Sequence, residues 1–254
     1  MVIWKDQVSR TSLKFVPYIH LTDQMNPRNP DELVTIYAGP ERKAFRVHKE
    51  VACLYSPVLK AAFNSNFIEG QTQAYTLEGC DKAFQLIVQW MYRQPITPPA
   101  TKEEYNLIRA KLRSVRSTQD FEILHKIVRH SCDLVSAWLI ADYLQIPRLQ
   151  NYLVDQTEQL RLDTCLSAFL WIGFLYKNVP RSAAIRKLVF EQYVRFLPAE
   201  EYEKKSELFP KEFLLDYVIR DKRLQEKKQA ELDPFRDRAE FKRRFHVPEE
   251  GMIA

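Results

Sequence analysis

Glycine is scarce in this chain: five residues of 254, at Gly39, Gly70, Gly79, Gly173 and Gly251. A loop that cradles phosphate needs glycine to bring backbone N–H groups against the anion, so nucleotide chemistry has little to build on. Cysteine is sparse too. Cys53, Cys80, Cys132 and Cys165 are widely spaced and form no CxxC pair, which excludes the usual zinc spacings and reads as buried, reduced thiols. No basic stretch followed by an apolar run opens the chain, so no secretory signal is expected, and with reduced thiols the setting expected is intracellular, nuclear or cytoplasmic. The most hydrophobic run, Cys165 to Tyr176, is about a dozen residues against the roughly 18 needed to cross a bilayer, so no membrane partner is expected.

The motifs of catalysis are missing as well. There is no GxSxG elbow and no HExxH; His125 and His130 are five apart and off a common helical face, and His130 with Cys132 is the one close His/Cys pair. Adjacent acids such as Glu103-Glu104 and Glu200-Glu201 point different ways on a helix and read as solvated charge. No enzyme, cofactor, metal or small-molecule substrate is indicated. Charge of one sign is lacking: the net is +5, and residues 220–254 hold ten Lys/Arg and eight Asp/Glu. A dedicated nucleic-acid protein carries a clearer basic excess. No internal repeat or low-complexity tract is present.

What the chain does have is packing material, 46% hydrophobic and 12% aromatic residues, at a length that suggests two units. Lys14 to Ile19 reads as a short strand, and Asn26 to Pro30, with two prolines, as a linker. Leu33 to Tyr37 is a β-branched and aromatic strand, Gly39-Pro40 a turn, and Ala44 to His48 alternates Phe45 and Val47 against Arg46 and His48, which makes a hairpin. Lys49 to Leu54 fits a short helix. Ser56 caps the next, with Pro57 at its first position. Ala74 to Leu77 reads as a third strand, and Asp81 opens a helix with an apolar stripe of Phe84, Ile87, Val88 and Met91 that stops before Pro95.

Helices are predicted from there to the end. Thr101 to Glu104 matches the reciprocal capping box. Tyr105, Ile108, Leu112 and Val115 line one helix; Phe121, Leu124, Ile127 and Val128 a second; Ala137, Ile140, Ala141 and Leu144 a third; Pro147 restarts a fourth; and Asp163 opens the hydrophobic run. Pro180, Pro198, Pro210 and Pro234 divide the remainder into helices near 181–196, 199–208, 211–231 and 235–245. The last two are highly charged with sparse apolar points, Phe213, Tyr217, Leu224, Phe235, Phe241 and Phe245, and their interleaved signs read as an exposed, salt-bridge-laced surface.

The order strand, turn, Phe45-Arg46-Val47-His48-Lys49, Ser56-Pro57, Leu59, Phe63, Glu69 and the strand Tyr75-Thr76-Leu77 resembles the BTB/POZ domain. Asp31 stands at its aspartate-led first strand, and Leu134 to Leu149 is similar to its closing helix pair; Leu59 stands where the family has an aromatic residue. The layout resembles the compact fungal type. The resemblance implies an α+β fold, a small sheet flanked by helices, followed by an all-α extension. The boundaries expected are an arm over 1–30, the BTB/POZ domain over 31–155 with a helical insertion near 96–130, the extension over 156–246 and a tail over 247–254.

It also implies a function without catalysis, a protein-protein interaction module. In adaptors that bind a cullin, a hydrophobic, any, acidic triplet follows the helix ending at the Phe63 position, and Phe67-Ile68-Glu69 fits it. Asn66, Phe67, Ile68 and Glu69 are therefore the candidate partner-binding residues of an adaptor linking a substrate to a cullin-based ubiquitin ligase. The same residues also fit a loop that packs inside the domain. A self-associating homodimeric scaffold, or a nuclear regulator whose charged helices touch nucleic acid or a co-regulator, is the alternative.

Overall fold

The structure, a computed structural model, describes residues 29–93, 95–111, 117–165, 172–227 and 233–249. The strand expected at Lys14 to Ile19, the linker up to Arg28, Leu112, Val115 and residues 166–171 of the hydrophobic run lie outside them. The described residues divide into two units, one holding 29–98, 133–153 and 248–249, the other 99–132 and 154–247.

In the first unit β1 (Leu33–Ala38) and β2 (Lys43–His48) form the antiparallel hairpin, with Val34 opposite Val47, and β3 (Ala74–Leu77) pairs parallel to β1, with Thr35 opposite Ala74. The order is β2-β1-β3. Gly39 at φ +81° and Arg42 at φ +50° reverse the chain between β1 and β2, closed by the Arg42 N–H on the Gly39 carbonyl at 3.0 Å. One face of the sheet, Val34, Ile36, Ala38 and Val47, is buried with Val51 and Ala52 of α1 (Lys49–Tyr55), Leu59 and Phe63 of α2 (Pro57–Phe63), and Phe84, Ile87, Trp90 and Met91 of α4 (Asp81–Arg93). The helix between them in sequence, α3 (Ile68–Thr72), precedes β3.

Polar groups tie this core together. Ser56 works in both directions: its hydroxyl accepts the Leu59 N–H at 3.1 Å, as the cap reading predicted, and donates to the Leu144 carbonyl at 2.8 Å. Tyr92 takes the His48 N–H at 2.9 Å and lies 2.7 Å from His48 Nδ1, so the histidine after Phe45 is framework. Phe45 packs edge-on to Phe84, ring centroids 5.1 Å apart.

The second unit is helical: α5 (Lys102–Lys111), parts of α6 (Thr118–Tyr143) and α7 (Pro147–Thr164), then α8 (Ile172–Asn178), α9 (Ala184–Phe196), α10 (Ala199–Lys204), a 3₁₀ turn Ser206–Leu208, α11 (Lys211–Lys227) and α12 (Arg238–Phe245). The capping box forms as expected, Thr101 N–H to Glu104 at 2.7 Å and Glu104 N–H to Thr101 at 3.2 Å. Tyr105 and Ile108 pack with Ile123 and Ile127.

Four expectations fail here. The second and third helices are one, α6, because residues 118–143 contain neither proline nor glycine to break them. Of the expected stripe Ile127 is buried and Leu124 packs partly buried on the same cluster, Ile123 joins them, and Phe121 is 55% exposed. Asp163 opens nothing: α7 continues to Thr164 and stops where Cys165 turns left-handed at φ +53°. The helix α6 ends in the same way at Gln145, φ +55°, with the Ile146 N–H reaching back to the Ala141 carbonyl at 2.9 Å, a closure that sets Pro147 at the start of α7. The four cysteines, expected buried, are free and half-buried. Among the described residues no helix is long and apolar enough to cross a membrane.

Candidate functional site

The chain leaving α2 is fastened from the inside. Asn64 Nδ2 donates to the Lys60 carbonyl at 2.8 Å, the Ser65 hydroxyl donates to the Ala62 carbonyl at 2.8 Å, and that same oxygen accepts the Phe67 N–H at 3.2 Å. The next turn is α3, so the stretch expected as a loop from Asn66 to Gly70 is helical from Ile68. Gln71 holds its start twice, through its N–H on the Phe67 carbonyl at 3.0 Å and its side chain on the Asn66 carbonyl at 2.9 Å. Gln73, left-handed at φ +51°, ends it, its amide donating to the Gly70 and Phe63 carbonyls at 2.6 and 3.0 Å. The Gln73 carbonyl then takes the Thr35 N–H at 3.0 Å, which welds the turn to β1. Gly70 lies directly over Ser65: a Cβ there would sit 1.9 Å from the Ser65 carbonyl oxygen.

Fastened in this way, the turn points its apolar side chains outward. Phe67 is 76% exposed and Ile68 64%. Phe67 therefore does not pack inside the domain. Two adjacent large apolar side chains are thus held out in solvent. Asn66 is exposed beside them and Glu69 half-buried.

Glu69 and Ile68 also line a depression of about 380 Å³ with Thr72, Tyr37, Arg42, Ala74, Tyr75, Thr76 and Tyr143. Its two charges are of opposite sign. Arg42 stacks over the Tyr37 ring at 5.2 Å and donates to the Thr76 hydroxyl at 3.3 Å. Tyr75 and Tyr143 share a hydrogen bond at 3.0 Å, and burial, then that bond, push the Tyr75 hydroxyl well above its ordinary pKa, so it stays protonated. The sequence pointed to Asn66, Phe67, Ile68 and Glu69; it gave no sign of Thr72 at the end of the same turn, or of Arg42 and Tyr143, which reach the depression from other elements. Only the parallel pairing of β3 to β1, which sets Tyr37 opposite Thr76, assembles it.

Burial pushes the Cys53 thiol up, away from the reactive thiolate. Among the described residues no group of three His, Cys, Asp or Glu could hold a metal. His130, beside Cys132, is lowered to about 4 by burial alone. The sign follows from linkage: the unfolded imidazole takes a proton near 6.5 and the folded one only near 4. The stability that neutral His130 carries is present above pH 6.5 and lost as the pH falls to about 4. Urea midpoints across that window are expected to fall more steeply in the parent chain than in His130→Gln; parallel curves would refute it.

Against known families, residues 26–120 match the model of the BTB/POZ domain. No curated protein matches the chain.

Proposed function

We propose that this chain, which carries a BTB/POZ domain and through it is a protein-interaction module, uses the turn from Asn66 to Glu69 to dock an α-helical scaffold of the cullin type, acting as an adaptor of a cullin-based ubiquitin ligase. The observation that supports the reading is the outward pair Phe67 and Ile68 on a turn fastened by Ser65, Gln71 and Gln73. Anchors of this kind lose little entropy on binding, because the backbone that carries them is already ordered. Phe67 supplies the aromatic anchor, Ile68 its apolar border, and Glu69 a carboxylate for a cation on the partner.

The reading has a direct test. In calorimetry against a cullin N-terminal domain, Phe67→Ala is expected to weaken binding by about 2 kcal/mol, near thirty-fold, while leaving the melting temperature unchanged, since the side chain touches little of its own fold. No heat from the parent chain at high micromolar concentration removes the cullin assignment and leaves the interaction module.

A further inference from the structure

Helix α11 has two faces of different chemistry. Inward, Phe213 is fully buried, Asp216 is paired with Arg181 and Arg186, and Arg220 forms a two-pronged bond to Glu191 at 2.8 and 3.0 Å. Outward, Leu214, Leu215 and Val218 are 44%, 54% and 55% exposed. The inward bonds hold the helix with these three facing outward. Lys211 and Asp221 border the apolar patch, both exposed and, among the described residues, in no ion pair; Asp221 only accepts from Gln225 at 2.7 Å.

The spacing of Lys211, Leu214, Val218 and Asp221 is three, four, three, which lays them along one narrow stripe of a helix, the spacing of a two-helix seam. The stripe is complementary to itself in one direction only. In a second α11 running antiparallel about a two-fold axis level with Asp216, Leu214 meets Val218 of the copy and Lys211 meets Asp221 of the copy, and symmetry makes each contact twice. A parallel copy would set lysine on lysine and aspartate on aspartate. A copy shifted by one turn would set an apolar residue against a charge.

We propose that the chain associates with a second copy of itself through this antiparallel α11 seam. With one apolar stripe and two exposed ion pairs the interface is of the small, transient class, formed at high concentration and weakened by salt. It does not involve the turn at Phe67.

The test uses the full chain in low-salt sedimentation equilibrium from about 10 to 500 µM, a range suited to a weak interface. The parent chain is expected to dimerise reversibly. Lys211→Glu places glutamate against Asp221 of the copy and Asp221→Lys places lysine against Lys211, so each variant alone is expected to lose at least about tenfold in affinity. Mixed, the two variants restore both pairs, and a heterodimer of roughly parental affinity is expected. Leu214→Asp is expected to abolish association, with circular dichroism showing the fold intact. A parent chain monomeric throughout, singles that dimerise like the parent, or a mixture that stays monomeric would each overturn the seam; the second would reassign the dimer to another surface.

Discussion

Gly70→Ala is expected to lower stability by about 3 kcal/mol and the melting temperature by about 6 to 12 °C, a large effect for one methyl group. The added Cβ would lie 1.9 Å from the Ser65 carbonyl oxygen, a backbone atom with no rotamer to change. Either α3 moves away or Ser65 does. The first breaks the Gln73 bonds to Gly70 and Phe63, the second the Ser65 bonds to Ala62 and Phe67. In both cases the backbone that presents Phe67 and Ile68 loses its order, so partner binding falls more than stability accounts for. Hydrogen exchange at Gln71, whose N–H bonds the Phe67 carbonyl, measures the loss directly. Gly173→Ala is the control: a Cβ there meets nothing within 4 Å, and in a helix alanine stabilises by about 0.5 to 1 kcal/mol. Equal melting temperatures for parent and Gly70→Ala would refute the close approach.

Arg161→Leu is expected to cost about 3 to 5 kcal/mol, the range for breaking a buried pair from one side. Glu158 is fully buried and held by Arg161 Nε at 2.8 Å and Nη2 at 2.5 Å, with Gln192 Nε2 as a third donor at 2.8 Å. The guanidinium also stacks over the Phe196 ring at 4.1 Å and faces that of Phe235 at 5.5 Å, so the pair is walled by aromatics and shielded from water. Leucine fills much of the space but leaves a carboxylate with one amide donor. The double variant Arg161→Leu with Glu158→Leu removes the stranded charge and is expected to recover most of the loss. Chemical denaturation of the four chains closes the cycle, and a double variant as unstable as Arg161→Leu alone would show that packing, and not the charge, carries the effect.

Much of the fold could be read without a structure because its signals are local. Alternation in β2, the Ser56-Pro57 start of α2, the Thr101–Glu104 box and the stripe of α4 depend on residues a few positions apart, and each stands where those residues place it. The failures share one cause. Phe121, Leu124, Ile127 and Val128 satisfy a helical period, but a period names a stripe and not the partner that covers it; packing with Tyr105 and Ile108 kept Ile127 and, partly buried, Leu124, added Ile123, and left Phe121 55% exposed. The stop at Cys165 was equally hidden, since a left-handed cysteine has no sequence mark where glycine or proline would have supplied one.

The turn at Phe67 divides along the same line. Its residue types follow from the sequence, as do the strand order that resembles a BTB/POZ domain and the absence of catalytic or metal spacings. Its exposure does not, because an aromatic residue after a helix is as consistent with a core as with a surface. That was decided by the bonds that Ser65, Gln71 and Gln73 make to Phe67, Asn66 and Gly70, and by a glycine whose missing Cβ lets two backbone segments touch. Likewise the composition of α11 determined that it is charged, and only the burial of Phe213, with the pairing of Asp216 and Arg220, decided which of its apolar residues face water. Local propensity is written in neighbouring residues; which face is covered depends on contacts between residues far apart in the chain, and those are settled by packing.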